Sequence, residues 1–300
     1  MFNKKQVMKK TLEYFDGDEL AANVWTTKYA LKNSDGQYLE QTPDDMHQRM
    51  AHEFARIENK FNSERALPYD TIYKYLQHFK YIVPQGSPMM GIGNNHVNVS
   101  LSNCVVVDAP SDNISSIINS GRDLANLFKR RCGVGVDISN LRPEGAPVNN
   151  SAGTTTGAWS FADFYSYVCR MIGQNGRRGA LMITMDVRHP DIRSFIKMKH
   201  DLSKVTGANV SLKISDSFMQ AVQDKSSFTL HYPIGSDEPT HTVEIDAQEL
   251  WDDIVESATK TAEPGLLMWD NITKTLPAEC YAEDGFKTIT TNPCGEIPLS

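Results

Sequence analysis

The apolar residues of this chain change their spacing near Val97, and that change decides which fold class is open to it. Before it, Met46, Met50, Phe54, Ile57 and Phe61 recur at helical intervals and form one stripe. Thr42, Pro43 and Asp45 read as the start of that helix, with an oxygen cap and a ring-fixed first turn. Ile72, Tyr75, Leu76 and Phe79 make a second stripe before Pro84. Beyond the change, Val97, Val99 and Leu101 alternate with polar neighbours, and 104–107 is a continuous apolar run typical of a buried strand. Further strands are expected at 133–138, 180–187 and 208–214. Helices are expected at 158–172, at 190–200 and after Asp112, which reads as a cap for Ile114, Ile117, Leu124 and Phe128. Residues 228–234 and 241–245 read as a hairpin, followed by an Asp246–Glu249 capping box. Strands alternating with helices imply a parallel sheet. The expected architecture is therefore α/β, with a helical N-terminal domain over 1–90 and an α/β domain over 91–300.

Bulk properties narrow the function. Three hundred residues bury a sizeable core. A net charge of −7, with no long Lys/Arg run, argues against a nucleic-acid backbone binder, although a nucleotide needs only a local cluster of donors. No apolar stretch is long enough for a transmembrane helix, and the first residues lack the apolar core of a signal peptide. Five cysteines without a regular framework suit a reducing compartment, so the cytoplasm is expected. No cysteine or histidine has metal-ligand spacing with another, and no protein-held metal is expected.

Near the end stands Asn292-Pro293-Cys294-Gly295-Glu296, which groups a thiol with an amide and a carboxylate. If the segment is extended, those three side chains share one face. If it is a Pro-Gly turn, the cysteine is incidental. Read beside LSNCVVV at 101–107, RPEG at 142–145, GRRGA at 176–180 and NPCGEIPL at 292–299, the chain resembles the catalytic subunit of ribonucleotide reductase. The resemblance runs from about residue 84 to residue 300. It implies a ten-stranded α/β barrel of two five-stranded parallel halves behind a helical domain. This chain would supply the helical domain, the first half-barrel and a central finger loop tipped by Cys294. The stretch ahead of the helical domain is shorter than an ATP-cone, so overall activity control by ATP and dATP is not expected.

The resemblance also implies roles. Cys294 would form the thiyl radical that abstracts the 3′-hydrogen, Glu296 would manage the 3′-hydroxyl proton, and Asn292 would orient substrate hydroxyls. Cys104 would be one of two reducing thiols. Its plainer reading is a small side chain buried in a strand. Cys132, Cys169 and Cys280 read as bystanders. Ser87, Ser102 and Asn103 would meet substrate, although Ser87 before Pro88 also reads as a turn residue. Asp112 and Arg142 would hold a dNTP specificity effector, since arginine's fork suits phosphate. A loop over 142–152 and a second over 201–209, with Lys204 and Asn209, would complete that site. Asn149 stands where some relatives carry a second phosphate-binding arginine.

The implied radical source is adenosylcobalamin, favoured by NPCGEIPL and the missing ATP-cone, or else a separate metal-containing small subunit. Implied partners are a ribonucleotide substrate, dNTP or ATP effectors, a thioredoxin- or glutaredoxin-type reductant, and a second copy joined through the helix 112–130. No membrane or nucleic acid is expected. The second reducing cysteine and the other half-barrel would lie on a complementary C-terminal chain or be lost by truncation, so the isolated chain is expected not to reduce ribonucleotides. Two competing readings are a non-catalytic dNTP-binding and assembly module, and a thiol–disulfide exchanger using Cys104. The second of these is weakened by the lack of a C-x-x-C.

Overall fold

Capping side chains set where the first helices begin. Asn3 accepts from the Gln6 N–H while Gln6 accepts from the Asn3 N–H, a reciprocal box that opens α1 (Lys4–Tyr14). Asp18 caps α2 (Glu19–Lys28) through the Ala21 N–H. For α3 (Pro43–Phe61) the cap expected from Thr42 is made in reverse: the Asp45 carboxylate accepts from the N–H groups of Gln41 and Thr42 at 2.7 and 3.1 Å. Then come α4 (Tyr69–Leu76) and α5 (Gly86–Gly91). In this computed structural model, residues 1–61, 64–172, 179–201 and 204–300 are described. The chain divides into two units, Met1–Asn103 and Cys104–Ser300.

The first unit is helical, with a core of Val7, Trp25, Met46, Met50, Ile72 and Leu76. Only the first half of the expected α3 stripe is buried: Phe54 and Ile57 are part-exposed, and Phe61 is 76% exposed. The alternation at Val97, Val99 and Leu101 does not make a strand. Val99 and Leu101 instead lie against Gly91, where an added Cβ would meet them at 2.6 and 2.8 Å.

His47 is fully buried in this unit, edge-on to the Phe79 ring. Burial pushes its pKa down to about 4, and His78 pushes the same way against the opposing pull of Asp44. The unfolded chain takes up this proton near pH 6.5, whereas the folded chain resists it until about pH 4. Stability from this group is therefore complete above pH 6.5 and is lost as pH falls towards 4, by at most about 3 kcal/mol. Urea midpoints at pH 7 and pH 5 are expected to show a larger acid loss in the wild type than in His47→Leu. Equal losses in the two proteins would refute the assignment.

The second unit is built on five parallel strands joined by four crossovers. In chain order its elements are β1 (Cys104–Val106), α6 (Ile114–Phe128), β2 (Gly133–Asp137), α7 (Ala158–Met171), β3 (Leu181–Asp186), α8 (Ile192–Lys197) and β4 (Asn209–Ile214). They continue with α9 (Asp216–Asp224), β5 (Ser227–Tyr232), β6 (His241–Asp246), α10 (Ala247–Thr261), β7 (Gly265–Met268), α11 (Trp269–Thr275), β8 (Thr290–Thr291) and β9 (Pro298–Leu299). The sheet order is β1-β2-β3-β4-β7, with β5-β6 and β8-β9 as separate antiparallel pairs. This is the α/β sheet the alternating pattern predicts, and it forms an open half-barrel.

Side chains alternate across the sheet. Val134, Val136, Ile183, Met185, Val210 and Leu212 belong to a core shared with Phe128, Tyr165, Phe195 and Phe218 from the helices. The intervening positions carry Gly135, Asp137, Thr184, Asp186, Ser211 and Lys213, so the opposite face is polar. Asn113, not Asp112, caps α6, through the Ser116 N–H. Asp112 is left for another partner. No helix among the described residues is long and apolar enough to cross a membrane.

Candidate active site

The polar face of the sheet is where β8 and β9 lie. Thr290 pairs with Leu299 and Thr291 with Pro298, and residues 292–297 form the tip between them. The tip is not extended. The Gly295 N–H donates to the Asn292 carbonyl at 3.0 Å, closing a β-turn with proline second and glycine fourth, the order such turns favour. Gly295 has φ of +81°, which a side chain would strain. The Ile297 N–H donates to Asn292 Oδ1 at 2.9 Å, and the Asn292 N–H donates to the Ile297 carbonyl at 3.1 Å. The expectation that Asn292, Cys294 and Glu296 share a face as alternate residues of a strand is therefore corrected. The turn leaves Cys294 and Glu296 exposed and buries Asn292 completely.

Asn292 Nδ2 is buried with no hydrogen-bond partner among the described residues. A buried amide donor left unmet is costly. The Asn209 side chain donates to the Pro293 carbonyl at 3.0 Å and braces the tip from the start of β4.

The hairpin stem sits on a network that the sequence reading missed. Thr184 Oγ1 donates to Asp137 Oδ2 at 2.7 Å and lies 2.8 Å from Thr290 Oγ1. Lys213 Nζ is 2.8 Å from Asp137 Oδ2 and 3.4 Å from the Ile289 carbonyl, and it lies over the Trp269 ring. Asp137, Thr184 and Thr290 are all buried. The signal was present as a polar residue at every second position of otherwise apolar strands.

Gly135 admits the stem. A Cβ there would fall 1.7 Å from the Thr291 carbonyl oxygen, so only glycine lets the hairpin lie this close to β2. Because the clashing atom is backbone, Gly135→Ala is expected to cost about 3 kcal/mol by overpacking. Urea unfolding of the full chain measures this, and a loss below 1 kcal/mol would contradict the packing.

Cys104 opens β1 and is in register with Gly133, two residues before Gly135 and on the same face. Its strand and the hairpin tip therefore address one side of the sheet. Cys104 is half-buried. Cys169 is buried among the helices, where desolvation pushes its thiol up to about 11, and the Cys280 thiol donates to the Pro277 carbonyl. Ser87, Ser102 and Asn103 belong to the first unit. There the Ser87 N–H donates to Asn103 Oδ1 at 2.7 Å, and the Ser102 N–H donates to Ser100 Oγ.

A cleft of about 440 Å³ is lined by Asp112, Ile114, Arg142, Asn149, Thr155 and Phe161 among others. Arg142 Nε donates to Asp112 Oδ2 at 2.6 Å, and the Arg142 backbone N–H donates to Asp112 Oδ1 at 3.1 Å. Two of the four residues expected at the effector meet here. Lys204 and Asn209 do not line the cleft: Lys204 lies near Asp201 and over Trp159, and Asn209 faces the hairpin because its register puts it on the polar side of β4. Residues 176–178 of the GRRGA motif and 202–203 of the second loop lie outside the described residues. Among the described residues no cluster of His, Cys, Asp or Glu is arranged to hold a metal ion.

Comparison with known proteins agrees with both units. Residues 15–96 match the model described as ribonucleotide reductase, all-alpha domain, and residues 102–300 match ribonucleotide reductase, barrel domain. Over 281 residues the chain is 29% identical to the vitamin B12-dependent ribonucleoside-diphosphate reductase of Mycobacterium tuberculosis, covering 93% of this chain and 39% of that protein. The protein of the same name from Thermoplasma acidophilum is 33% identical over 221 residues, which is 72% of this chain and 27% of that one. The ribonucleoside-diphosphate reductase large subunit of Dictyostelium discoideum is 24% identical over 307 residues, covering 90% of this chain and 33% of its own length. The chain thus spans well under half the length of these relatives.

Proposed function

Because this chain belongs to the ribonucleotide reductase family, we propose that it contributes the thiyl-bearing half of a catalytic barrel that converts ribonucleoside diphosphates to deoxyribonucleotides. What supports this reading is that Cys104 opens a strand whose register puts it on the sheet face that also carries the β8–β9 stem, from which the Cys294 turn projects. Loss of a ribose 2′-hydroxyl is slow because hydroxide leaves poorly from an unactivated carbon. A radical at C3′ makes that loss accessible. Cys294, exposed at the tip, takes the 3′-hydrogen, and Glu296, two residues on, accepts the 3′-hydroxyl proton. The Cys104 thiol protonates the departing 2′-oxygen, which leaves as water. Two electrons from Cys104 and a second thiol, with the second thiol's proton delivered to C2′, then reduce the sugar and form a disulfide; Glu296 returns its proton to the 3′-oxygen and Cys294 returns its hydrogen to C3′. The unmet Asn292 Nδ2 donor supports a substrate oxygen beside the tip. Ser87, Ser102 and Asn103 are further proposed substrate contacts.

The names of the relatives favour vitamin B12 as the cofactor. The chemistry a cobalamin supplies here is a radical able to take the thiol hydrogen. The exposed Cys294 beside a glycine fits such an approach, since outside the adjoining residues the nearest heavy atom to a Gly295 Cβ would be Met182 Cε at 4.0 Å. The remaining half of the barrel and the second thiol, on this or another polypeptide, complete the site. A thioredoxin-type dithiol restores the cysteines, in the cytoplasm. The Arg142 cleft holds a dNTP effector, and α6 beside it joins two copies.

The test is conversion of a ribonucleoside diphosphate to its deoxy form by the assembled enzyme containing this chain, supplied with adenosylcobalamin and a dithiol. Retained dNTP binding with no turnover under any radical source would instead favour the assembly-module reading.

A further inference from the structure

The backbone from Asn140 to Ala158 carries much of the lining of the Arg142 cleft, and it is held by three side chains that line no part of the cleft. Asp191, which is 7% exposed, accepts from the Glu144 N–H at 2.9 Å with one carboxylate oxygen and from the Ala158 N–H at 2.8 Å with the other. One buried carboxylate thus pins two points fourteen residues apart. Gly157, at φ of +89°, makes this possible, because a Cβ there would stand 2.6 Å from Asp191 Oδ2. His189 is fully buried; its Nδ1 accepts the Asp191 N–H at 3.0 Å, so its Nε2 carries the proton given to the Leu141 carbonyl at 2.7 Å. Tyr232, at the end of β5, places its hydroxyl 3.0 Å from both the Asn140 carbonyl and Asp112 Oδ2. Its ring meets His189 edge-on.

These contacts converge on one arginine. Asp112 Oδ2 receives both Arg142 Nε and the Tyr232 hydroxyl, so the tyrosine fixes the carboxylate that fixes the guanidinium plane. Nη1 donates to the Pro147 carbonyl and Nη2 to the Asp112 carbonyl. Of the five guanidinium N–H groups, these bonds leave two for an anion in the cleft. A hydroxyl aimed at a carboxylate from outside the binding surface sets the direction of those two donors without touching the ligand.

We infer that Tyr232, His189 and Asp191 are positioning residues for the effector triphosphate, holding the Asp112–Arg142 pair and both ends of its loop in the phosphate-binding arrangement. This rests on the reading of the cleft as a dNTP site. Fixing an arginine before the ligand arrives removes an ordering cost that binding would otherwise carry. The hairpin β5–β6 then has a task in addition to packing, which is to deliver the tyrosine.

The experiment is calorimetric titration of the full chain with dATP, dGTP and dTTP, for wild type, Tyr232→Phe, Arg142→Lys, the double variant and Asp191→Asn. Tyr232→Phe is expected to weaken binding about tenfold, the scale of one hydrogen bond to a charged group. In the Arg142→Lys background, where no Nε bonds Asp112, the same change is expected to have no further effect. Asp191→Asn, which keeps one acceptor oxygen, is expected to weaken binding as well and guards against poor folding of the tyrosine variant. Wild-type affinity in both Tyr232→Phe and Asp191→Asn, with Arg142→Lys impaired, overturns the positioning role alone. Additive losses in the double variant overturn it too, since the tyrosine would then act other than through the pair. Absence of dNTP binding in the wild type overturns the effector reading, and the inference with it.

Discussion

Cys294→Ser is expected to abolish ribonucleotide reduction and Cys104→Ser to abolish it at a later step, although both changes replace only sulfur by oxygen. The first removes the one hydrogen donor weak enough to yield a radical at the tip. The rate should fall on the order of 10³-fold or more, equivalent to about 4 kcal/mol of barrier. Stability should move by no more than about 0.5 kcal/mol, because Cys294 is exposed. The second change leaves hydrogen abstraction intact and removes the proton and electrons needed afterwards. Substrate tritiated at C3′ separates the two cases, because a thiol that has taken the label exchanges it with water. Label release in Cys104→Ser and none in Cys294→Ser is the expected pair of results. Release in both variants would remove Cys294 from the first step.

The roles proposed for the two cysteines rest on resemblance, and each cysteine sits in a short run whose local chemistry is distinctive. The strand around Cys104 is apolar and β-branched, and the run around Cys294 combines Asn, Pro and Gly. The local shape of the second run was less legible. Asn-Pro-x-Gly favours a β-turn, and the structure contains that turn around Cys294, so the turn reading and the chemical reading describe the same five residues. The expected strands at 133–138, 180–187 and 208–214 appear as β2, β3 and β4 within a residue at each end, since their large apolar side chains recur within short, mostly buried segments. Strand β7 escaped notice because Gly265–Met268 is too short to display a period. The alternation at Val97, Val99 and Leu101 misled: no strand pairs there, Val97 and Leu101 are exposed, and Val99 and Leu101 pass close to Gly91. Asp112 misled for a related reason. An acidic residue before a helix is a plausible cap, yet Asn113 is equally able to cap, and a guanidinium thirty residues away competes for the carboxylate.

Lys213→Met is expected to destabilise the second unit strongly. Lys213 and Asp137 form an ion pair whose side chains are 11% and 4% exposed, beneath the hairpin stem. Methionine keeps the length of the side chain and its packing over Trp269 but leaves the carboxylate, among the described residues, with the Thr184 hydroxyl and the Ser139 N–H. Breaking a buried pair from one side costs about 3–5 kcal/mol, because the remaining charge has left water without its counterion. Replacing both partners, in Lys213→Met with Asp137→Asn, is expected to recover most of that loss, since the pair itself contributes little once its desolvation is counted. Urea midpoints across the four proteins close the cycle. A single-variant loss below 1 kcal/mol would mean that water reaches Asp137. The same substitution also removes the ammonium near the Ile289 carbonyl, so the stem loses a tether just before Thr290. Alkylation of Cys294 should therefore quicken in Lys213→Met, and it should remain fast in the double variant even where stability returns. Such a separation would make the buried pair a device that aims the turn, since stability and thiol exposure would no longer follow one another.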